Sequence, residues 1–269
     1  MGQILFAGSG WVKKKGETYI KLNQNWVQSI GGYFDSEGNF DPQRESSLFT
    51  TSFYTESGLG ENLSFEMNLP LFTSNRLIIT DEMGNETLNE SIGGIGDVNL
   101  GIKQSLVKKD YFAMSMTYTL GVPLGSVSGG TDGTLFTGDG ELNGMIRTDI
   151  GIPFGFGEFG GYFNANLGFN FRGNVFSDEL LFGSELGISA FKSRFWLISR
   201  IVGIEAVQSG QTSNGNPFAG NVSFINYSVE GDMYLGERLG LSVNYVGNIS
   251  GADVLITPSY NIGVFLDIK

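Results

Sequence analysis

Residues 63–71 read Leu63-Ser64-Phe65-Glu66-Met67-Asn68-Leu69-Pro70-Leu71. The odd positions are all apolar, and Ser, Glu, Asn and Pro hold the even ones. Side chains of a strand alternate faces with a period of two. One face of this strand therefore meets something oily and the other something wet. The same alternation recurs over 17–30, 46–57, 94–107, 111–124, 140–153, 158–173, 179–191, 194–208, 222–235, 238–250 and 255–269. With 62–73 that makes about twelve strands, each long enough to cross a bilayer at a tilt, which takes ~9–11 residues.

The links between them alternate too. They are tight around 58–61, 108–110, 155–157, 192–193 and 236–237, and long over 31–45, 74–93, 125–139 and 209–221. Short periplasmic turns and longer outer loops mark bacterial outer-membrane barrels. An even strand count puts both ends of the barrel on the periplasmic side. The fold class expected is all-β, a transmembrane antiparallel up-and-down β-barrel of about 12 strands. Residues 17–269 form the barrel domain, and residues 1–16 an N-terminal tail or a small plug in which Ile4, Leu5, Phe6 and Trp11 tuck into the mouth.

Composition agrees. Charged residues are 16% and aromatics 13% of the chain, whereas soluble domains carry ~25% charged residues. No run approaches the ~18 apolar residues of a membrane helix, so a crossing must be a closed barrel that leaves no backbone group unpaired in lipid. A soluble sandwich or lipocalin-like barrel is the alternative, disfavoured by strand length and by the segregation of charge to one face. Met1 to Gly10 lack the charged start of a secretory signal, which reads as a processed form of the chain.

The outward face takes Ile20, Leu22 and Trp26, then Val98, Leu100 and Ile102, and later Leu241, Val243, Tyr245, Ile262, Val264, Leu266 and Ile268. The strand containing Trp196, Leu197 and Ile198 is apolar in both registers. The opposite face is polar or small. Its charged members, Lys21, Glu66, Asp97, Lys103, Arg147, Asp149, Arg172, Glu185 and Glu230, are the expected lumen lining, joined by Asn23, Asn25, Asn68, Glu141, Asn143, Asn164, Asn170 and Asp232. They fill the interior as cross-strand ion pairs, sort solutes as charged rings do, or both. Inward glycines at 101, 121, 151, 168, 187 and 263 are expected to leave room for a passage.

The chain has no Cys and no His. That removes disulfides, thiol nucleophiles and ordinary zinc sites, and every hydrolytic scheme that needs a histidine base. An enzyme is not expected, nor a cofactor. A net charge of −12 argues against nucleic acid. The acidic stretch 35–41 spaces oxygen ligands as calcium loops do but fails the EF-hand template, since Phe40 stands where Gly is required. It and Asp132 and Asp139 read as acidic outer loops.

Residues 93–125, with the G-x-G-D-x-x-L-G-x-K phrase from Gly94 to Lys103, and the closing PSYNIGVFLDIK resemble outer-membrane barrels of the MetA-pathway-of-phenol-degradation group, in their Bacteroidota form. The resemblance implies an outer-membrane channel or transporter for small, hydrophobic or aromatic, solutes. Unlike many such barrels the chain ends in Lys269 rather than an aromatic residue. The expected partners are outer-membrane lipid and a small solute. The alternative is a non-conducting structural subunit of a larger outer-membrane protein complex.

Overall fold

The computed structural model describes residues 9–28, 33–34, 40–41, 44–131, 133, 135–157, 159–173, 176–207, 222–252 and 257–269. Fifteen strands are assigned: β1 (Thr18–Gln28), β2 (Tyr33–Phe34), β3 (Phe40–Asp41), β4 (Arg44–Gly58), β5 (Leu63–Thr80), β6 (Glu86–Gly94), β7 (Val98–Lys109), β8 (Phe112–Val122), β9 (Asn143–Phe156), β10 (Phe159–Phe171), β11 (Glu179–Ala190), β12 (Phe195–Ala206), β13 (Ser223–Tyr234), β14 (Leu239–Ala252) and β15 (Ser259–Ile268). Antiparallel pairing runs in sequence order from β7 to β15, then through β1, β4 and β5 back to β7. The sheet thus closes on itself as a barrel of twelve strands, β2, β3 and β6 standing apart from that count. The five tight links are all turns, and the first strand seals the barrel against the last with Thr18 opposite Ile268.

The expected long loop at 74–93 is instead a hairpin. β5 runs on to Thr80 and pairs with β6 from Thr73–Gly94 to Thr80–Glu86. β6 and β7 occupy the same edge of β5 in one register, since Asn68 still faces Asn99. Together they are one strand broken at residues 95–97. Pro70 explains the break, because it has no N–H to give the ladder. Its carbonyl still accepts a bond from the Gly96 N–H at 2.9 Å. A Cβ on Gly96 would come within 2.7 Å of the Pro70 ring, so only glycine lets the two strands approach here. Beside it, a bulge between Thr51 and Ser52 in the β4 pairing turns both Leu71 and Phe72 outward.

The outer surface is the oily one. Leu167 and Val243 are 58% and 61% exposed on it, and such a belt is what a bilayer covers. Phe49, Trp26, Tyr260 and Tyr245 follow one another across β4, β1, β15 and β14, with Trp26 on Phe49 at 5.8 Å and Tyr245 on Tyr260 at 5.5 Å. They lie towards the extracellular strand ends, where an aromatic girdle belongs. The ambiguous strand resolves with Ile198 inward and Leu197 outward, 46% exposed.

Candidate functional site

Two ion networks lie on facing parts of the inner wall. In the first, Lys103 is fully enclosed, its Nζ 3.4 Å from Glu56 and 3.3 Å from Glu66. Arg147 sits 3.8 Å from Glu66 and donates from Nε to Asp149 at 3.0 Å. In the second, Glu230 accepts from Lys21 and Arg200, each at 2.5 Å, and Arg200 also donates to Glu185. Each carboxylate is thus met by a cation, from another strand for all but Asp149, whose partner Arg147 shares β9; such pairing makes burial of charge tolerable. Inward glycines make room for these long side chains rather than for a solute. A Cβ at Gly168 would press on the Arg147 stem at 3.2 Å, and one at Gly187 would enter the Tyr162 ring at 2.4 Å. The expectation of free space at those positions is therefore corrected: neighbours occupy it.

A third cluster stands at the extracellular end. Arg172, just beyond β10, donates to Asp139 at 2.9 Å, Glu141 at 3.0 Å and Glu179 at 2.7 Å, and its guanidinium covers the Phe176 ring at 4.4 Å. Asp139 and Glu141 belong to the loop 123–142. Burial pushes the Asp139 carboxyl up to about 6, outweighing the pull of Arg172, with nearby Asp97 adding to the rise. Burial likewise raises Glu141.

Asp97 was expected on a strand facing the lumen. It lies instead in the break between β6 and β7, where it holds this loop in place. Its carboxylate accepts the backbone N–H groups of Leu124 at 3.0 Å, Gly125 at 2.8 Å and Asp139 at 2.7 Å. Thr137 donates to the Ile95 carbonyl at 2.8 Å, and Asn75 to that of Phe136 at 3.1 Å. The break thus supplies the loop's docking points, the Asp97 carboxylate and the Ile95 carbonyl.

From the periplasmic end the segment 9–16 runs up inside the wall. Lys15 bridges to Gly58, where a Cβ would lie 1.8 Å from the Lys14 carbonyl oxygen. Lys13 pairs with Asp267 at 2.8 Å. Trp11 meets the Tyr162 ring edge-on at 6.1 Å over Gly151, and the Ser9 carbonyl accepts from Ser115 at 3.1 Å. Ile4, Leu5 and Phe6, Asp132 and most of the acidic stretch 35–41 lie outside the described residues.

Between this segment and the outer cluster runs a cavity of about 580 Å³. Lys21, Asp97, Arg172, Glu185 and Glu230 border it; Glu66 and Arg147 border a smaller cavity of about 60 Å³. Lys103 and Asp149 are enclosed and border neither. Towards the extracellular end the wall becomes apolar: Val27, Leu48, Val202, Ile204, Val222, Phe224 and Val246 face inward from five strands or their ends. Met145 and Leu181 pack with Ile204 in the same collar. Below it, Thr50, Asn25, Asn261 and Asn244 stand opposite one another across β4, β1, β15 and β14.

Sequence reasoning missed Glu56, Arg200 and Glu179, and missed the collar altogether. Arg200 carried a usable signal. It shares a face with Ile198, and an arginine cannot face hydrocarbon cheaply, which would have fixed the register of β12. The collar had no such signal, because an inward Val or Ile near a strand end looks like a lapse in the alternation.

The fold and interior define a transmembrane β-barrel of the outer-membrane type. No family model matches the chain, and no curated protein does. Solved structures do. An outer membrane channel from Pseudomonas putida F1 aligns with a TM-score of 0.60 at 12% identity, covering 97% of this chain and 98% of that one. The NanC porin aligns at 0.56 and 9%, covering 92% and 98%. The translocator domain of the autotransporter NalP from Neisseria meningitidis aligns at 0.51 and 12%, covering 93% and 88%. The chain has the outer-membrane barrel fold that these share, with lipid around its belt.

Proposed function

We propose that this barrel is an outer-membrane channel, without enzymatic activity, that takes up small apolar or amphipathic solutes through its lumen. The apolar collar carries the reading. Porin interiors are polar and water-filled, whereas here hydrocarbon side chains from β1, β4, β12, β13 and β14 line much of the extracellular part of the cavity, beside the Arg172 cluster. A solute that buries its apolar surface there gains ~25 cal/mol per Å², which concentrates it where it must begin its passage. The resemblance of residues 93–125 to barrels associated with hydrophobic and aromatic compounds accords with this.

Single barrels in a planar bilayer test it. A steady ion current should be interrupted when a small alicyclic solute is added on the extracellular side. Phe224→Asn with Val202→Asn should shorten the interruptions about tenfold, the loss of ~1.5 kcal/mol of apolar burial. A folded barrel that carries no current would favour the non-conducting structural subunit. Interruptions indifferent to the double substitution would remove the collar from the account.

A further inference from the structure

We infer that the row Thr50–Asn25–Asn261–Asn244, with Asn23 beside it, is a binding site for the uncharged hydroxyl or carbonyl head of an amphipathic solute; this rests on the channel reading above. The row is built but unfilled by the protein. Asn25 Oδ1, Asn261 Nδ2, both polar atoms of Asn244, Thr50 Oγ1 and Asn23 Oδ1 are buried with no hydrogen-bond partner among the described residues. One bond joins the five side chains, from Asn23 Nδ2 to Asn261 Oδ1 at 3.1 Å. All five residues are at most 6% exposed; Thr50, Asn23, Asn25 and Asn261 border the large cavity, whereas Asn244 stands opposite Asn261 on β14 without bordering it. Buried polar groups are normally paired, so a ligand whose head pairs these is favoured over one that does not.

The chemistry of the head follows from what the row offers. It presents donors and acceptors together, and exchanging O and N in any amide keeps that mixture. A hydroxyl is both donor and acceptor. No charged side chain belongs to the row. Glu230 lies opposite Asn244 on the next strand, but its oxygens are engaged by Lys21 and Arg200. An ionic head would lose its water without gaining a counter-charge.

The body of the solute has its place too. Two residues further along the same inward faces, Thr50 gives way to Leu48, Asn25 to Val27 and Asn244 to Val246, all members of the collar. The polar head and the apolar body therefore have adjoining seats on β4 and β1, with Val246 of β14 completing the apolar one. A mostly apolar pocket with a few convergent polar groups is the general form of a small-molecule site, and sites built to pair a hydroxyl reject analogues that lack it.

The test compares four ligands with one ring: cyclohexylmethanol, cyclohexanecarboxylate, cyclohexylmethylammonium and methylcyclohexane. Binding to the whole barrel in lipid nanodiscs is measured by saturation-transfer NMR against empty nanodiscs. The alcohol should bind at least tenfold more tightly than either ion. Asn25→Leu with Asn261→Leu should lower its affinity about tenfold and leave methylcyclohexane unchanged. Should that pair fail to fold, Asn25→Ala serves, and the ranking on the native barrel stands by itself. If methylcyclohexane binds as well as the alcohol, or an ion binds best, the inference is overturned while the collar survives. If no ligand binds, the channel reading falls and takes the inference with it.

Discussion

Lys103→Met removes one charge from the interior and almost no volume. In the native barrel Lys103 and Arg147 face Glu56, Glu66 and Asp149. The substitution leaves Arg147 alone against three carboxylates on a wall where Lys103 itself is fully enclosed. Breaking a buried pair from one side costs ~3–5 kcal/mol, since the partner charge stays buried. The assay is urea unfolding from lipid vesicles followed by tryptophan fluorescence. With a dependence of ~2 kcal/mol per molar urea, the midpoint should fall by about 1.5–2.5 M. Adding Glu66→Gln restores the balance of charge and should recover roughly half of the loss, a coupling that neighbours in one network show and independent sites do not. An unchanged midpoint for Lys103→Met, or no recovery in the double variant, would refute the view that these ions hold the wall by mutual neutralisation.

Other outcomes follow from the loop and from the inner segment. Asp97→Ala strips the acceptor from three backbone N–H groups, so the loop 123–142 should become open to limited proteolysis while the barrel stays heat-modifiable on gels. The raised carboxyl of Asp139 means the folded state holds its proton more tightly than the unfolded chain does. The stability it lends is complete below about pH 4 and is lost as pH rises through about 6. Hydrogen exchange at Leu124, Gly125 and Asp139, corrected for intrinsic rate, should therefore be slower at pH 5 than at pH 7, and Asp139→Asn should abolish the difference. Trp11→Ala takes the largest described side chain of the inner segment off the wall, and single-channel conductance should rise. Gly187→Ala drives a methyl into the Tyr162 ring and should destabilise by ~1–3 kcal/mol, read from the same unfolding curve.

The wall of this protein was legible because lipid enforces the alternation. Outward positions are mostly apolar, so Leu241, Val243, Ile262 and Val264 declare their face without help from packing. Lys21, Glu185 and Glu230 were legible by exclusion, since they could not face the bilayer. What they pair with was not, because Lys21 reaches Glu230 across two intervening strands and no local spacing records that. The break at 95–97 had its cause in plain view at Pro70, but in a neighbouring strand. Thus the hairpin of β5 and β6 read as a loop, and Asp97 read as lining. The glycines misled for a related reason. A missing side chain says that something comes close, and only the register tells whether it is solute or the ring of Tyr162.

The seam between β1 and β15 also imposes an order on assembly. The inner segment is held by Trp11 on Tyr162, Ser9 on Ser115 and Lys15 at Gly58, and by a second kind of hold 254 residues away, Lys13 on Asp267. That second hold does not exist until the last strand has been laid down and the cylinder has closed. The set of contacts that fixes the segment is therefore complete only once the barrel has closed. A barrel halted before its final strand would keep both an unpaired edge, with its tendency to capture other chains, and an inner segment that lacks its ion pair to Asp267.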